Sequence, residues 1–185
     1  MRRIMFGFVA ILVFSCFPLG GSMAFPVEDV QLVTNDQYFT TAQKAIKEAK
    51  QSIRVMMFEM AYYAERKSTP SNHLIRELID AKKRGVKVEV ILDIRDGEDR
   101  TTKRNRHTGK LLSDGGVEVT YDSLVKTTHA KVIIIDGSLT LLGSTNWTYS
   151  SLANNNETSV LIRSKDLAKE LIDYFNKVKS AGSKK

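Results

Sequence analysis

The sequence predicts one α/β domain with a mixed β-sheet flanked by helices on both faces. Three observations carry this prediction. Short aliphatic segments alternate with stretches whose apolar residues recur at helical spacing. One pair of aliphatic segments is joined by the tight-turn sequence Asp136-Gly137, which adds an antiparallel hairpin to the strand-helix-strand units. The chain of 185 residues is 42% hydrophobic and 26% charged, which fits one ordinary globular domain.

The first 24 residues are predicted to lie outside this domain, leaving a domain over residues 25–185. Arg2 and Arg3 precede an apolar stretch over 4–20, and small residues follow at Ser22 and Ala24. This pattern is typical of a secretory signal peptide cleaved after Ala24, and it predicts a periplasmic or secreted protein. The alternative is an uncleaved membrane anchor, because the apolar stretch approaches the roughly 20 residues that span a bilayer.

Cysteine content and charge restrict the chemistry further. Cys16, the only cysteine, lies in the predicted signal segment, so the mature chain is expected to lack disulfides and thiolate sites. The net charge is +7, and loss of Arg2 and Arg3 would reduce it by two. A basic chain suits anionic partners such as nucleic acid or acidic lipid.

The first half of the domain reads as strand-helix units. Residues 30–35 predict a strand, and residues 36–51 a helix for which Asp36 is a candidate cap. The continuously apolar segment 52–63 predicts a central strand covered on both faces. Pro70 and Ser71 open a helix that Gly85 ends, and residues 86–93 alternate as the next strand.

The second half continues this alternation. Residues 94–116 form a polar, basic stretch predicted as a loop running into a short helix, and 117–122 predict a strand. Residues 129–136 and 139–144 are expected to pair as the hairpin. A further strand over 157–164 and a closing helix over 165–180 complete the domain.

The hairpin is expected to gather polar side chains at one edge of the sheet. His129 and Lys131 share one strand face at its start, and Ser144 and Asn146 stand at its end. Gly143 permits close approach of the backbone. Lysine, serine and asparagine offer positive charge and hydrogen bonds to a tetrahedral anion, and histidine acts as a nucleophile or as an acid and base. The cluster therefore predicts a phosphoryl site.

These residues form a pattern, HxKx4Dx6GSxN, that resembles the signature of the phospholipase D superfamily at every specified position. The chain is most similar to the small exported bacterial endonucleases of that superfamily, and more distantly to mitochondrial cardiolipin hydrolase. The resemblance implies the phospholipase D/nuclease fold. The residues that carry it are His129, Lys131, Asp136, Gly143, Ser144 and Asn146.

The resemblance also implies a homodimer and a mechanism. Superfamily members build one site from two copies of the motif, and neither His73 nor His107 stands in a second copy. His129 of one subunit would attack phosphorus, and the partner's His129 would protonate the leaving oxygen and activate water. Lys131 and Asn146 would hold the nonbridging oxygens. No metal and no other cofactor is required by this mechanism.

Ser144, Glu157 and Asp136 are expected to support the phosphoryl site in different ways. Ser144 is expected to donate to the phosphate or to orient a neighbour. Glu157 matches the acidic residue that orients the nucleophilic histidine in family members, although an ordinary glutamate at a strand edge is the alternative. Asp136 either caps the hairpin or touches substrate, the first being at least as well supported.

Two features of the first half bear on the substrate. Glu59, a carboxylate within an apolar segment, requires either a role at the edge of the site or an ion pair. Tyr62 and Tyr63 either stack on a base or cover the core.

The basic segment after the third predicted strand is a candidate phosphate track for nucleic acid. A solvated helix face is the alternative, because Asp96, Glu98 and Asp99 lie in the same segment. The basic residues concerned are Arg95, Arg100, Lys103, Arg104, Arg106 and Lys110.

Three functions follow as expectations. The first is a metal-independent, nonspecific endonuclease or phosphodiesterase acting on DNA, with RNA as a further substrate. The second is a phospholipase D-type hydrolase of anionic phospholipid such as cardiolipin. The third is a nucleic-acid-binding protein with an inactive site, which the intact motif disfavours.

Overall fold

The computed structural model of the chain describes residues 24–183. The predicted signal or anchor segment, with Cys16, lies outside the described residues except for Ala24. Within residues 24–183, none of the helices has the length and apolar composition needed to cross a bilayer.

A seven-stranded mixed sheet forms the centre of the molecule, in the order β1-β7-β6-β5-β2-β3-β4. Strands β2, β3 and β4 run parallel, and the remaining neighbours are antiparallel. This arrangement confirms the predicted mixed sheet. The strands are β1 (Asp29–Thr34), β2 (Ser52–Met57), β3 (Lys87–Leu92), β4 (Glu118–Tyr121), β5 (Lys131–Ile135), β6 (Leu139–Gly143) and β7 (Thr158–Arg163).

Helices cover both faces of the sheet, as predicted. The larger core lies on one face, where α1 and α2 pack over the strands, and the smaller core lies on the other face under α5. Ala168 and Phe175 of α5 are fully buried against Val132 and Ile134 of β5 in this smaller core. The helices are α1 (Gln37–Glu48), α2 (Pro70–Lys83), α3 (Arg100–Asp114), α4 (Tyr149–Ala153) and α5 (Lys165–Ala181).

The structure differs from the predicted elements in the first strand-to-loop boundary after β2, in the length of α3 and in an additional short helix. The strand predicted over 52–63 ends at Met57, because the amide of buried Asn105 accepts from Met60 N at 2.8 Å and donates to Phe58 O at 2.7 Å. Helix α3 is 15 residues long rather than short. Its inward face carries Thr102, Asn105 and Thr108, whose hydrogen bonds replace apolar packing. The short helix α4 carried no expectation from the sequence.

Asp136 lies at the end of the β5–β6 hairpin that is remote from His129. It adopts a left-handed backbone conformation (φ 49°), and its carboxylate accepts from the backbone N–H groups of Lys50, Gln51 and Ser52 at 2.8–2.9 Å. Burial raises the pKa of this carboxyl, but the three N–H groups outweigh burial and hold the pKa below its usual value. Asp136 therefore ties the hairpin to the α1–β2 connection.

Gly143 stands where β6 passes closest to β7. A Cβ at this position would come within 2.2 Å of Ser159 Oγ and 2.4 Å of Thr158 O, which no relaxed structure tolerates. The backbone of Ser144 then donates to Thr158 O at 3.0 Å. Glycine at 143 thus lets the chain carry Ser144 and Asn146 toward the start of β5.

Candidate functional site

The antiparallel β5–β6 hairpin brings the ends of the motif together at one edge of the sheet. The strand predicted over 129–136 begins only at Lys131, so the prediction that His129 lies within it was wrong and His129 lies two residues before β5. His129 is exposed, whereas Lys131 is only 7% exposed. The Lys131 ammonium lies 3.3 and 3.4 Å from the two ring nitrogens of His129 and donates to His129 O at 2.8 Å. One buried cation thus sits directly against an exposed imidazole.

The surroundings of His129 favour its neutral form. Partial burial lowers the pKa of the imidazole, and the positive charges of Lys131 and Arg95 lower it further. Burial also lowers the pKa of Lys131, although Glu157 and Asp93 oppose that shift. A neutral imidazole keeps the lone pair that a nucleophile or a general base needs.

Phe58, which the sequence did not single out, supports the histidine ring. The two ring centroids lie 4.4 Å apart and the planes are tilted by 54°. Lys131 Nζ and the Arg95 guanidinium lie 5.0 and 5.2 Å from the centre of the phenyl ring. One aromatic ring therefore contacts the imidazole and both cations that act on it. Nothing in the sequence distinguished Phe58 from the rest of its apolar segment.

Ser144 and Glu157 form a polar pair beside this site. The Ser144 hydroxyl donates to Glu157 in a short hydrogen bond and accepts from Thr158 N at 3.1 Å. Asn155 donates to the other carboxylate oxygen of Glu157 at 3.2 Å. Within residues 24–183, no hydrogen bond joins Glu157 to His129, and the negative charge of Glu157 acts on Lys131 instead. The orientation of His129 by Glu157 stays a prediction.

Asn146 reaches the site from the segment after β6. Its carboxamide oxygen accepts from Glu59 N at 3.3 Å, which links the end of the motif to the segment after β2. The Glu59 carboxylate forms an ion pair, which was one of its two predicted alternatives. Its Oε1 atom lies 2.6 Å from a guanidinium nitrogen of Arg104 in α3. Arg104 also lies over the ring of Tyr63, 5.7 Å from its centre.

Arg95 of the candidate phosphate track lies beside Phe58, and the other five basic residues all lie on α3, where they divide into three groups. Arg100 and Lys103 are exposed near the start of α3, which is the end of the helix that follows β3 in the chain. Arg104 is engaged by Glu59, and Lys110 pairs with Asp114 at 2.7 Å. Arg106 is exposed further along the same helix.

Tyr62 is half-buried against the larger core. Its hydroxyl accepts from Arg76 of α2 at 3.2 Å, and the Arg76 guanidinium lies 5.8 Å from its ring centre. Of the two alternatives for this tyrosine, its contacts in the structure are those of a residue that covers the core.

Among residues 24–183, no three histidine, cysteine, aspartate or glutamate side chains come together in the way a metal ion would need. The polar groups gathered at the site are an imidazole, an ammonium, a hydroxyl and a carboxamide, supplied by His129, Lys131, Ser144 and Asn146.

Comparison with known protein families gives one match over most of the chain. Residues 43–179 match the family model described as "Cardiolipin synthase, PLD-like domain". The match includes every motif residue and both parallel strand pairs.

Curated relatives are similar over about two thirds of the chain. A phospholipase D of Rickettsia typhi is 28% identical over 125 residues, covering 68% of this chain and 59% of that protein. Mitochondrial cardiolipin hydrolase of Mus musculus is 25% identical over 135 residues, covering 73% of this chain and 55% of that protein. The chain spans between about half and three fifths of the length of these two relatives.

Solved structures extend the similarity to nearly the whole fold. The phospholipase D family member Nuc from Salmonella typhimurium superimposes with a TM-score of 0.71 and 26% identity, covering 84% of this chain and 96% of that chain. NucT from Helicobacter pylori superimposes with a TM-score of 0.64 at 17% identity, which is a likeness of fold.

Proposed function

The chain belongs to the phospholipase D superfamily, and on that basis we propose that it is a metal-independent phosphodiesterase that cleaves DNA, and RNA as well, through a phosphohistidine on His129. The observation that carries the proposal is the exposed, neutral imidazole held against the buried ammonium of Lys131. We further propose that the enzyme acts outside the cytoplasm, because residues 1–24 have the pattern of an export signal.

The proposed reaction has two steps. A ring nitrogen of neutral His129 attacks phosphorus, the bond from phosphorus to the leaving oxygen breaks, and the partner's His129, which enters this step protonated, gives that oxygen its proton and becomes neutral. Water then attacks the same phosphorus, the P–N bond breaks, and the partner's His129 takes the proton from the water. Lys131 offers positive charge to the nonbridging oxygens throughout, where charge develops in the transition state.

Nucleic acid is the favoured substrate on electrostatic grounds. Arg100 and Lys103 present exposed positive charge near the start of α3, and Arg95 lies beside Phe58 at the site. A polyanion spanning several phosphates gains from each such contact, whereas a single lipid headgroup uses only those at the reacting phosphate.

A phospholipid substrate is the second candidate because of one surface feature. Leu124 and Val125 are exposed at the tip of the loop that leads to His129, and Lys126 follows them. An apolar tip beside a basic residue suits the surface of an anionic membrane. The phospholipase D and cardiolipin hydrolase relatives agree with this alternative.

An assay of the purified chain with four substrates in EDTA tests the proposal. Single-stranded DNA, duplex DNA and RNA should be cleaved, with rates unchanged by the chelator, and cardiolipin vesicles should turn over at least about tenfold more slowly. Nuclease activity that disappears in EDTA would refute the metal-independent mechanism. Turnover of lipid without cleavage of nucleic acid would establish the second candidate, and binding of DNA without any turnover would establish an inactive binding protein.

We also propose that two chains share one active site, because the chain carries a single copy of the motif. An apolar strip whose outer end is exposed supports this proposal. Leu32 of β1 is 66% exposed and pairs with Val160 of β7. The same row of cross-strand pairs continues through Leu142 of β6 to Val132 of β5. Directly paired residues share a face, so Leu32 lies on the α5 side of the sheet, beyond the edge of that helix. A second copy of the chain would remove this strip from water.

The substitution Leu32→Lys is therefore expected to weaken the dimer. A lysine ammonium buried in an apolar interface without a counter-charge costs several kcal/mol, so the chain should sediment as a monomer at micromolar concentration. Activity per chain should fall at least about tenfold, because a monomer holds half of the site. Analytical ultracentrifugation and the nuclease assay check both effects.

Gln31→Lys is the matched control for this substitution. Gln31 is exposed on the same strand and points to the opposite face, so the same charge there should leave the dimer and the activity intact. An active Leu32→Lys monomer would contradict the shared site, and an undiminished Leu32→Lys dimer would place the interface elsewhere.

A further inference from the structure

Two buried aspartates lie under the backbone that carries His129. Asp93 follows β3 and Asp122 follows β4, and they are 1% and 3% exposed. The N–H group of Thr128, the residue before His129, is shared between them: it donates to Asp93 Oδ1 at 2.9 Å and to Asp122 Oδ2 at 2.7 Å. Two carboxyl groups thus converge on a single donor.

The two negative charges are incompletely compensated. Asp93 Oδ2 accepts no hydrogen bond in the described part of the chain, and its nearest cation is Arg95, with Nε 3.5 Å away. Asp122 Oδ1 receives a long hydrogen bond of 3.4 Å from Ile94 N. Burial, followed by the charge of Asp122, raises the pKa of Asp93 to about 6, although the Thr128 N–H group and Arg95 oppose the shift. The negative charge of Asp122 beside buried Asp93 thus favours the protonated form of Asp93.

The remaining charges around the pair are those of the site and of α5. Lys131 responds to the charge of Asp93. On its other side, Asp122 lines a cavity of about 170 Å³ together with Lys126 of the loop between Asp122 and His129 and Lys177 of α5. The pair therefore lies between the phosphate site and this cavity.

We propose that Asp93 and Asp122 are a positioning pair whose net charge sets the affinity of the His129 site for phosphate. The pair acts through two contacts. The shared Thr128 amide fixes the backbone next to His129, and Asp93 engages Arg95, whose guanidinium lies over the Phe58 ring that packs on His129. This inference rests on the proposed phosphodiesterase function.

The sign of the pH effect follows from the charges. Above the pKa of Asp93 the pair carries two negative charges, which oppose an anionic substrate and hold Arg95. Below it the pair carries one, and Lys131 and Arg95 present more net positive charge to the phosphate. The KM for a phosphodiester should therefore rise as the pH is raised through about 6.

The test is the pH dependence of KM for bis(4-nitrophenyl) phosphate between about pH 5 and 8. For the unmodified chain, KM should increase roughly fivefold over this range, as one charge near the site would give. Asp93→Asn should remove the part of the transition that Asp93 gives near pH 6 and leave only the dependence that titration of His129 gives. Asp122→Asn should move the transition to lower pH, because it removes the charge that repels the anion of Asp93. Asp114→Asn, an exposed charge change at the end of α3, should behave as the unmodified chain.

A purely structural role would lower thermal stability and kcat without altering how KM depends on pH, and that result in Asp93→Asn and Asp122→Asn would overturn the inference. If the unmodified chain hydrolysed no phosphodiester, the proposed function would fail separately. NMR titration of the His129 ring would then decide: an inflection from Asp93 that disappears in Asp93→Asn supports the pair, and identical titration curves refute it.

Discussion

The substitution His129→Ala is expected to abolish phosphodiester cleavage, with kcat falling at least about 10⁴-fold. In the proposed mechanism the imidazole supplies the attacking nitrogen on one subunit and the acid and base on the other, so a homodimer of the variant would lose all three functions. No other described side chain contacts Lys131 Nζ in the way that the His129 ring does. Steady-state cleavage of bis(4-nitrophenyl) phosphate and of DNA measures the loss.

The matched control for this substitution is His107→Ala. His107 is exposed on α3 as His129 is exposed at the site, and both substitutions should leave the melting temperature nearly unchanged. His107→Ala should keep close to full activity. Retention of about a tenth of the activity in His129→Ala would show that another group performs the reaction.

The substitution Lys131→Met is expected to lower kcat by about 10²- to 10³-fold, the loss typical of removing one preorganised donor from a developing charge. Methionine keeps an unbranched apolar chain at this buried position, so the packing of β5 should survive. The substitution also removes a positive charge that lowers the pKa of His129. That pKa should therefore rise, and the acid limb of the pH profile should move to higher pH.

Lys126→Met provides the comparison for Lys131→Met. Lys126 is an exposed lysine of the loop before His129, and its loss should change KM modestly and kcat little. Rates measured across the pH range separate the effect of Lys131 on kcat from its effect on the pKa of His129. A Lys131→Met variant with an undiminished kcat, or with an acid limb that moved to lower pH, would contradict the role given to this residue.

The parts of the fold that follow from local chemistry could be predicted from the sequence. The Asp136-Gly137 turn and the aliphatic run before it are enough to place His129 near the end of β6, and the structure brings these ends together. Helix α3 was predicted too short because its buried face uses Thr102, Asn105 and Thr108, which a search for apolar periodicity does not count. The same Asn105 ends the strand that begins at Ser52, through a hydrogen bond with Met60, which lies 45 residues earlier in the sequence.

The parts of the site that depend on distant contacts could not be predicted in the same way. The ion pair of Glu59 with Arg104 required knowledge of where α3 docks. Asp93 and Asp122 did leave a signal, since each stands directly after a strand and these two strands are parallel neighbours. The carboxyl ends of parallel neighbours lie at one edge of a sheet, so their proximity followed from the strand order once that was known.

The most direct test of the proposed mechanism is a search for the covalent intermediate on His129. The chain is mixed with bis(4-nitrophenyl) phosphate in EDTA, denatured in alkali within the first turnover, and digested for mass spectrometry. A 4-nitrophenylphosphoryl group should appear on the peptide that carries His129, and it should be absent from His129→Ala. Rapid release of nitrophenol with no phosphoryl group on His129, or with the group on another residue, would contradict nucleophilic attack by this histidine.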